Sequence, residues 1–435
     1  MSARAPGRIA YVNARLLDPA SGIDAAGGLL TDGEVIVAVA PGLFCDDRPG
    51  DAEVIDCGGA CLAPGLVDMR VQLCEPGQEH KETLASAGWS AVAGGVTSMV
   101  CLPNTDPVID DVATVEFVAR RARKNGLAKV YPYAAATKQL EGEELAEIGM
   151  LAEAGALGFT DGTKAIKSAQ MMRRALAYAA TFGVILIQHP EEPSLAHGGV
   201  MNEGELATRL GLAGIPCCAE AIMLERDMRL VALTGGRYHA AHLSTAEGVA
   251  VIRRAKQAGL PVTCDTAPPY FALNEMAVGD YRTFAKLSPP LRSEADREAI
   301  VAGLAQGVID AIASDHTPQD QDSKRLPFAQ AEFGGVGLET LLPITLELYH
   351  NEHLSLLQVI ERLSWAPARL LGLAAGRLQP GNAADLLLFD PDRAGRVDPD
   401  KFRSKSKNSP FDGRPIQGRV LRTVVDGRAV FVADA

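Results

Sequence analysis

The chain has 435 residues, 47% hydrophobic and 22% charged, which describes a globular protein with one large domain and room for a smaller one. A formal net charge of -12 without any basic stripe interleaved with aromatics excludes a nucleic-acid-binding surface, but leaves a local site for a small anionic substrate open. No run reaches the ~18 apolar residues of a membrane-spanning helix, which excludes a helical membrane protein.

Residues Met1 to Pro6 lead directly into a strand-like segment without the apolar stretch of a signal peptide. The eight cysteines are scattered, with no C-x-x-C pair, so a cytoplasmic, reducing setting is expected. The adjacent Cys217 and Cys218 are expected to pack as small buried side chains. Residues 1–60 read as short β segments, Ile9 to Val12 and Gly33 to Val39 among them. The far end behaves alike, with Ala384 to Phe389 and Val420 to Phe431, so residues 1–60 and 376–435 are expected to form one composite β domain. Residues 61–375 alternate short apolar runs with segments of helical period. The runs are Cys61 to Val67, Thr97 to Leu102, Lys129 to Tyr133, Gly155 to Thr160, Val184 to Gln188, Tyr238 to His242, Val262 to Cys264 and Ile309 to Ala313. Eight such strands in an α/β pattern predict a (β/α)8 TIM barrel. Polar residues follow directly on several of them: Asn104, Asp161, His189, His242 and Asp315. Active sites of barrels are built at these strand ends. The basic stretch from Lys401 to Arg414, with its serines and prolines, reads as a surface loop.

The segment after the first strand, Asp68-Met69-Arg70-Val71-Gln72-Leu73-Cys74-Glu75-Pro76-Gly77, carries Arg70, Gln72 and Cys74 at alternate positions. Alternation along a strand would put all three on one face. Together with His80-Lys81-Glu82-Thr83, Leu102-Pro103-Asn104-Thr105, His239-Ala240-Ala241-His242-Leu243-Ser244, Pro289-Pro290-Leu291-Arg292, Ala313-Ser314-Asp315-His316-Thr317-Pro318 and Ser404-Lys405-Ser406-Lys407-Asn408-Ser409-Pro410, the chain resembles dihydroorotase. This is the cyclic amidohydrolase of pyrimidine biosynthesis, in the long form that is also similar to hydantoinases and allantoinases. The resemblance runs over almost the whole chain.

The resemblance implies a zinc centre held by two histidines of the first strand, a bridging carboxylate, two later histidines and an aspartate that shuttles the proton. The bridging position matches Asp161, the later imidazoles match His189 and His242, and the shuttle matches Asp315. The first-strand ligands are replaced by Arg70 and Gln72. A guanidinium stays charged and has no lone pair for a metal, so Arg70 repels a cation and can pair with Asp161 or Asp315. Its other reading is an anion-binding group in a repurposed pocket. The substrate carboxylate is held in the family by an arginine and an asparagine; Asn104 stands at the latter position, but Cys74 replaces the arginine. A thiol cannot replace a charge-assisted bond of roughly 1.5–3 kcal/mol. Gln319 stands where a further carboxylate-binding histidine is expected, and Ala267 to Tyr270 replace a Thr-Pro-His-His stretch.

Asp161, His189 and His242 still leave two possibilities: no metal, or a remnant site for a single Zn. His239 and His316 read as packing or supporting residues, His80, His197, His350 and His353 as surface or structural ones, and Asp68 as a neighbour of Arg70. Framework motifs without the catalytic ones imply a chain that does not catalyse. In this family such chains accompany aspartate transcarbamoylase as structural partners, so a homo- or hetero-oligomer is expected. The competing expectation is an active one-metal dihydroorotase or related cyclic-amide hydrolase.

Overall fold

A computed structural model describes residues 7–45, 47 and 49–434. The expectation drawn from Met1 to Pro6 lies outside the described residues. Both ends of the chain feed one sheet. Its strands run in the order Arg428–Val432, Pro415–Val425, Leu386–Arg396, Cys61–Pro64, Arg8–Asp18, Ile23–Asp32 and Val35–Pro41, with Glu53–Asp56 added beside Arg8–Asp18. The run Val420 to Phe431 is therefore two strands, because Asp426 and Gly427 take φ values of 47° and 70° and turn the chain back.

The expected strand from Cys61 to Val67 also divides. Cys61–Pro64 pairs with Arg15 and Leu16 and with Leu386 to Phe389 in the terminal sheet, whereas Leu66–Val71 begins the barrel. Gly65 is the joint. Its N–H donates to the Asp385 carbonyl at 2.9 Å, and a Cβ there would run into the Thr97 side chain. Only glycine lets the chain cross so closely from one sheet to the other.

Eight parallel strands close the barrel: Leu66–Val71, Val96–Cys101, Lys129–Pro132, Gly158–Phe159, Ile185–Gln188, Arg237–Ala240, Val262–Thr266 and Ala311–Ile312. Single parallel bridges, Ala134 to Phe159 and Val71 to His316, join the two arcs into a ring. All six residues of each of the first two strands are buried, as parallel strands covered by helices on one side and a filled interior on the other require. Several strands are shorter than the apolar runs suggest. His242 and Asp315 take φ values of 39° and 50°, so the chain leaves the strand geometry just where polar residues begin.

Helix Val112–Asn125 shows how the outer layer is specified. Asp111 caps it by accepting from the Thr114 N–H at 2.8 Å, Val115 and Val118 face inward, and Gly126 ends it at φ 62°. Arg123 and Lys124 in its last turn complement the helix dipole. Among the described residues, no helix is long and apolar enough to cross a membrane.

Two local expectations are corrected. Cys217 is half-buried and Cys218 exposed, since they open a surface helix, Cys218–Thr234, whose inward face begins at Ala219. The stretch from Lys401 to Arg414 is not simply a surface loop: Ser404, Ser406, Asn408 and Ser409 are buried. Their side chains bind the barrel rim, Ser404 Oγ donating to Glu82, Ser406 Oγ to the Lys81 carbonyl at 2.7 Å, and Asn408 Nδ2 to the Gly334 carbonyl at 3.0 Å. Serine and asparagine look loop-like in sequence, but here they satisfy backbone that would otherwise be buried unpaired.

Candidate functional site

The C-terminal ends of the barrel strands hold a polar cluster centred on Arg70. Its side chain is 3% exposed, Nε donates to Asp315 Oδ1 at 2.9 Å, and Nη2 reaches the Gly162 carbonyl at 3.4 Å. Nη1 is buried without a hydrogen-bond partner. The strand delivering Arg70 is fastened to the eighth by Asp68, whose Oδ1 accepts from the N–H groups of Arg70 at 3.2 Å and Ser314 at 3.1 Å. Burial pushes the Asp68 carboxyl up to about 6, against these bonds.

Asp315 faces His242 as well, with 3.5 Å between Oδ1 and Nδ1. Burial alone would raise the Asp315 carboxyl, but His242 and Arg70 beside it hold it below the ordinary carboxylate range. An aspartate so stabilised as the anion is a weak base at neutral pH. Burial, then the Arg70 charge, lowers the His242 imidazole to about 4, so it stays neutral in the physiological range.

The two retained imidazoles meet each other. His189 Nδ1 and His242 Nε2 share a hydrogen bond of 2.7 Å with the rings edge to face, and His189 Nε2 points to Glu191 Oε1 at 3.7 Å. Asp161 is engaged elsewhere, accepting from the Thr137 N–H at 2.9 Å and Thr137 Oγ1 at 2.6 Å. Burial pushes its carboxyl up, in opposition to those bonds.

Gln72 and Asn104 are likewise tied to one another. Asn104 Nδ2 donates to Gln72 Oε1 at 3.2 Å, and Gln72 Nε2 donates to Thr317 Oγ1 at 3.2 Å. Strand geometry ends at Val71, and Cys74 takes φ 58°, so the alternation expected for Arg70, Gln72 and Cys74 does not extend to the thiol. Cys74 is buried with Lys81, Glu82 and Glu79 as its charged neighbours, and burial pushes its thiol up to about 12. Gln319 donates to the Phe333 carbonyl at 2.8 Å and accepts nothing through its buried Oε1.

These donors do not fit a resident zinc. A four-coordinate site needs lone pairs converging on one point. Here one imidazole lone pair is spent between the rings, Asp161 serves Thr137, the Gln72 oxygen serves Asn104, and Arg70 brings a positive charge. Among the described residues, no three His, Cys, Asp or Glu are placed to hold a metal ion. Beside Asp315, a gap lined also by Ser314, Pro268, Pro269 and Gly337 measures ≈ 10 Å³, about the least that admits one water. A larger cavity of ≈ 750 Å³ opens at the mouth beside Lys164, Lys167, His189, Glu191 and His197.

Sequence reasoning missed Thr137, Glu191 and Asp265. Asp265 Oδ2 lies 3.1 Å from His239 Nε2 and its Oδ1 accepts from the His242 N–H, so it positions the sixth strand's end. It comes directly after the apolar run Val262 to Cys264, within the strand Val262–Thr266, and that signal was readable. Glu191 is two residues beyond His189, in a loop whose path the sequence does not dictate.

His316 is wholly buried; its Nδ1 accepts from the Gly337 N–H at 3.2 Å, and its Nε2 lies 3.4 Å from Glu82. Glu82 also accepts from Ser86, Ser404 and the Lys405 N–H, linking the first helix, the eighth strand and the late loop. Burial raises its carboxyl, but His316 and these donors together hold it below the ordinary range. Glu82→Ala should therefore cost about 2–3 kcal/mol, because several buried donors lose their acceptor at once. A urea melt checks this, and a change under 0.5 kcal/mol would contradict it.

A model of the family described as dihydro-orotase-like matches residues 59–248. The dihydroorotase of Anaplasma phagocytophilum is 46% identical over 429 residues, spanning 98% of this chain and 96% of that one. The dihydroorotase of Desulforapulum autotrophicum is 46% identical over 423 residues, covering 97% and 99%. Among solved structures, L-hydantoinase (dihydropyrimidinase) from Arthrobacter aurescens superposes with a TM-score of 0.86 at 27% identity, over 98% of this chain and 97% of that chain. Dihydropyrimidinase from Brevibacillus agri gives 0.81 at 22% identity over 98% and 95%, a likeness of fold.

Proposed function

We propose that this chain, which belongs to the dihydroorotase-like family of pyrimidine biosynthesis, is a member whose barrel mouth has exchanged a Lewis acid for a fixed cation. It does not hydrolyse a cyclic amide. It works in the cytoplasm as a structural partner of aspartate transcarbamoylase. The observation that carries this reading is the buried Arg70–Asp315 pair, whose guanidinium stands in the mouth while His189 and His242 bond to each other. Catalysis by this family's chemistry needs an activated water and a base, and the pair takes away the site of one and the basicity of the other.

The partner role draws on the resemblance and on one feature of the chain. Contacts such as those of Glu82 and Asp68 hold the barrel rim together around the altered mouth. The purified chain is expected to form a complex with the transcarbamoylase of the same cell at micromolar concentration, read by light scattering. Two separate species at that concentration would overturn the partner role.

A second reading, an active dihydroorotase or related hydrolase using a single zinc at Asp161, His189 and His242 with Asp315 as shuttle, is favoured by the identity to relatives that bear the name dihydroorotase. It requires the two imidazoles to part and Arg70 to release Asp315.

A further inference from the structure

At the opposite end of the barrel, where helix Val112–Asn125 leads into strand Lys129–Pro132, lies a cavity of ≈ 480 Å³. It sits at the junction with the terminal sheet, against the turn that joins Pro415–Val425 to Arg428–Val432. Its volume is in the range of small-molecule sites, and junctions between domains are where such sites are common. Val115, Ala119, Ala122, Leu127, Val130 and Val425 give it an apolar lining.

The charges on its wall are unbalanced. Arg123, Lys129 and Arg428 contribute three positive charges and Asp426 one negative. Lys129 is already spent, with Nζ 2.7 Å from both Asp385 and Asp426. Counting Asp385 as well, three cations against two anions leave one positive charge over, on a chain whose overall charge is -12. Among the described residues, neither Arg428, half-buried on the wall, nor Arg123, exposed at the rim, has an ion pair or a side-chain hydrogen bond. Guanidinium groups without a counter-charge beside an apolar wall favour an anion with an apolar body.

We propose that this cavity binds a small amphiphilic anion. An aromatic or aliphatic body lies on Ala119, Ala122 and Val425, and a carboxylate, sulfonate or phosphate is held by Arg428 with Arg123. A neutral apolar ligand would leave both guanidinium groups without a counter-charge, and a cation would be repelled. The ligand bridges barrel and terminal sheet, so binding stabilises the junction, whether or not the mouth turns over a substrate.

The test uses the full chain and 1-anilinonaphthalene-8-sulfonate, an aromatic anion that fluoresces in apolar surroundings. Expected are a saturable one-to-one rise in fluorescence and a higher melting midpoint, as any ligand selective for the folded state must give. Ala119→Trp fills the cavity and should abolish binding. The double variant Arg123→Gln, Arg428→Gln should weaken it by about tenfold or more, as loss of a charge-assisted contact does. The neutral N-phenyl-1-naphthylamine should bind at least about tenfold more weakly for the same reason. Lys164→Gln, in the mouth cavity, should change nothing. Circular dichroism verifies that each variant is folded, and Ala119→Leu serves if the tryptophan variant is not. Unsaturable binding, binding that survives the filled cavity, equal affinity for the neutral probe, or loss in Lys164→Gln would each overturn the proposal.

Discussion

Replacing Arg70 with methionine is expected to lower the free energy of unfolding by about 3–5 kcal/mol at neutral pH, the usual cost of removing one member of a buried ion pair. The size follows from what is left behind. Asp315 would keep its burial and lose the Arg70 counter-charge and hydrogen bond, with His242 left as its remaining stabilising neighbour. The pH dependence gives the sign. Because the folded protein holds the Asp315 carboxyl below its ordinary value, the group stabilises the native state above its unfolded pKa, and that contribution is lost as pH falls through the folded value. In Arg70→Met the carboxyl is held down less, by His242 alone, so the penalty should be greatest at neutral pH and fade below about pH 4, where the carboxyl takes its proton. Urea melts at pH 7 and pH 4 measure both. A variant as stable as the parent at pH 7 would show that the guanidinium does not compensate Asp315.

The second large effect is a gain. The double substitution Arg70→His, Gln72→His should turn a chain expected to take up no stoichiometric zinc into one that does. It removes the buried positive charge, frees Asp315, and adds two neutral nitrogen donors where only a cation and an amide stood. With zinc at about a thousandfold excess over its dissociation constant, linkage predicts about 4 kcal/mol of added stability for the double variant. The parent should show no shift under the same conditions. A double variant that neither retains zinc through gel filtration nor melts higher in its presence would mean that the rest of the mouth cannot open to receive a metal.

Much of the architecture was legible because apolar period and turn chemistry are local. The eight barrel runs all correspond to strands, and their polar end residues do gather at one mouth. What the runs did not reveal was where each strand stops. His242 and Asp315 leave strand geometry through left-handed backbone, which depends on contacts from other strands, such as Asp265 to the His242 N–H. Gly65 and the Asp426–Gly427 turn were visible letters whose meaning depended on Thr97 and on the partner strands. The stretch Ser404 to Ser409 was misread because its polar side chains are matched to buried rim backbone and to Glu82, more than three hundred residues earlier. At the site, residue types showed that Arg70 could pair with Asp161 or Asp315, and geometry selected Asp315. No sequence pattern announces that His189 and His242 turn toward each other.

The most direct measurement is turnover of dihydroorotate, in both directions, by the unmodified chain purified from zinc-supplemented cells, with metal content determined on the same sample. The account predicts substoichiometric zinc and no turnover that responds to Asp315→Ala. One zinc per chain, with hydrolysis abolished by Asp315→Ala, would contradict it.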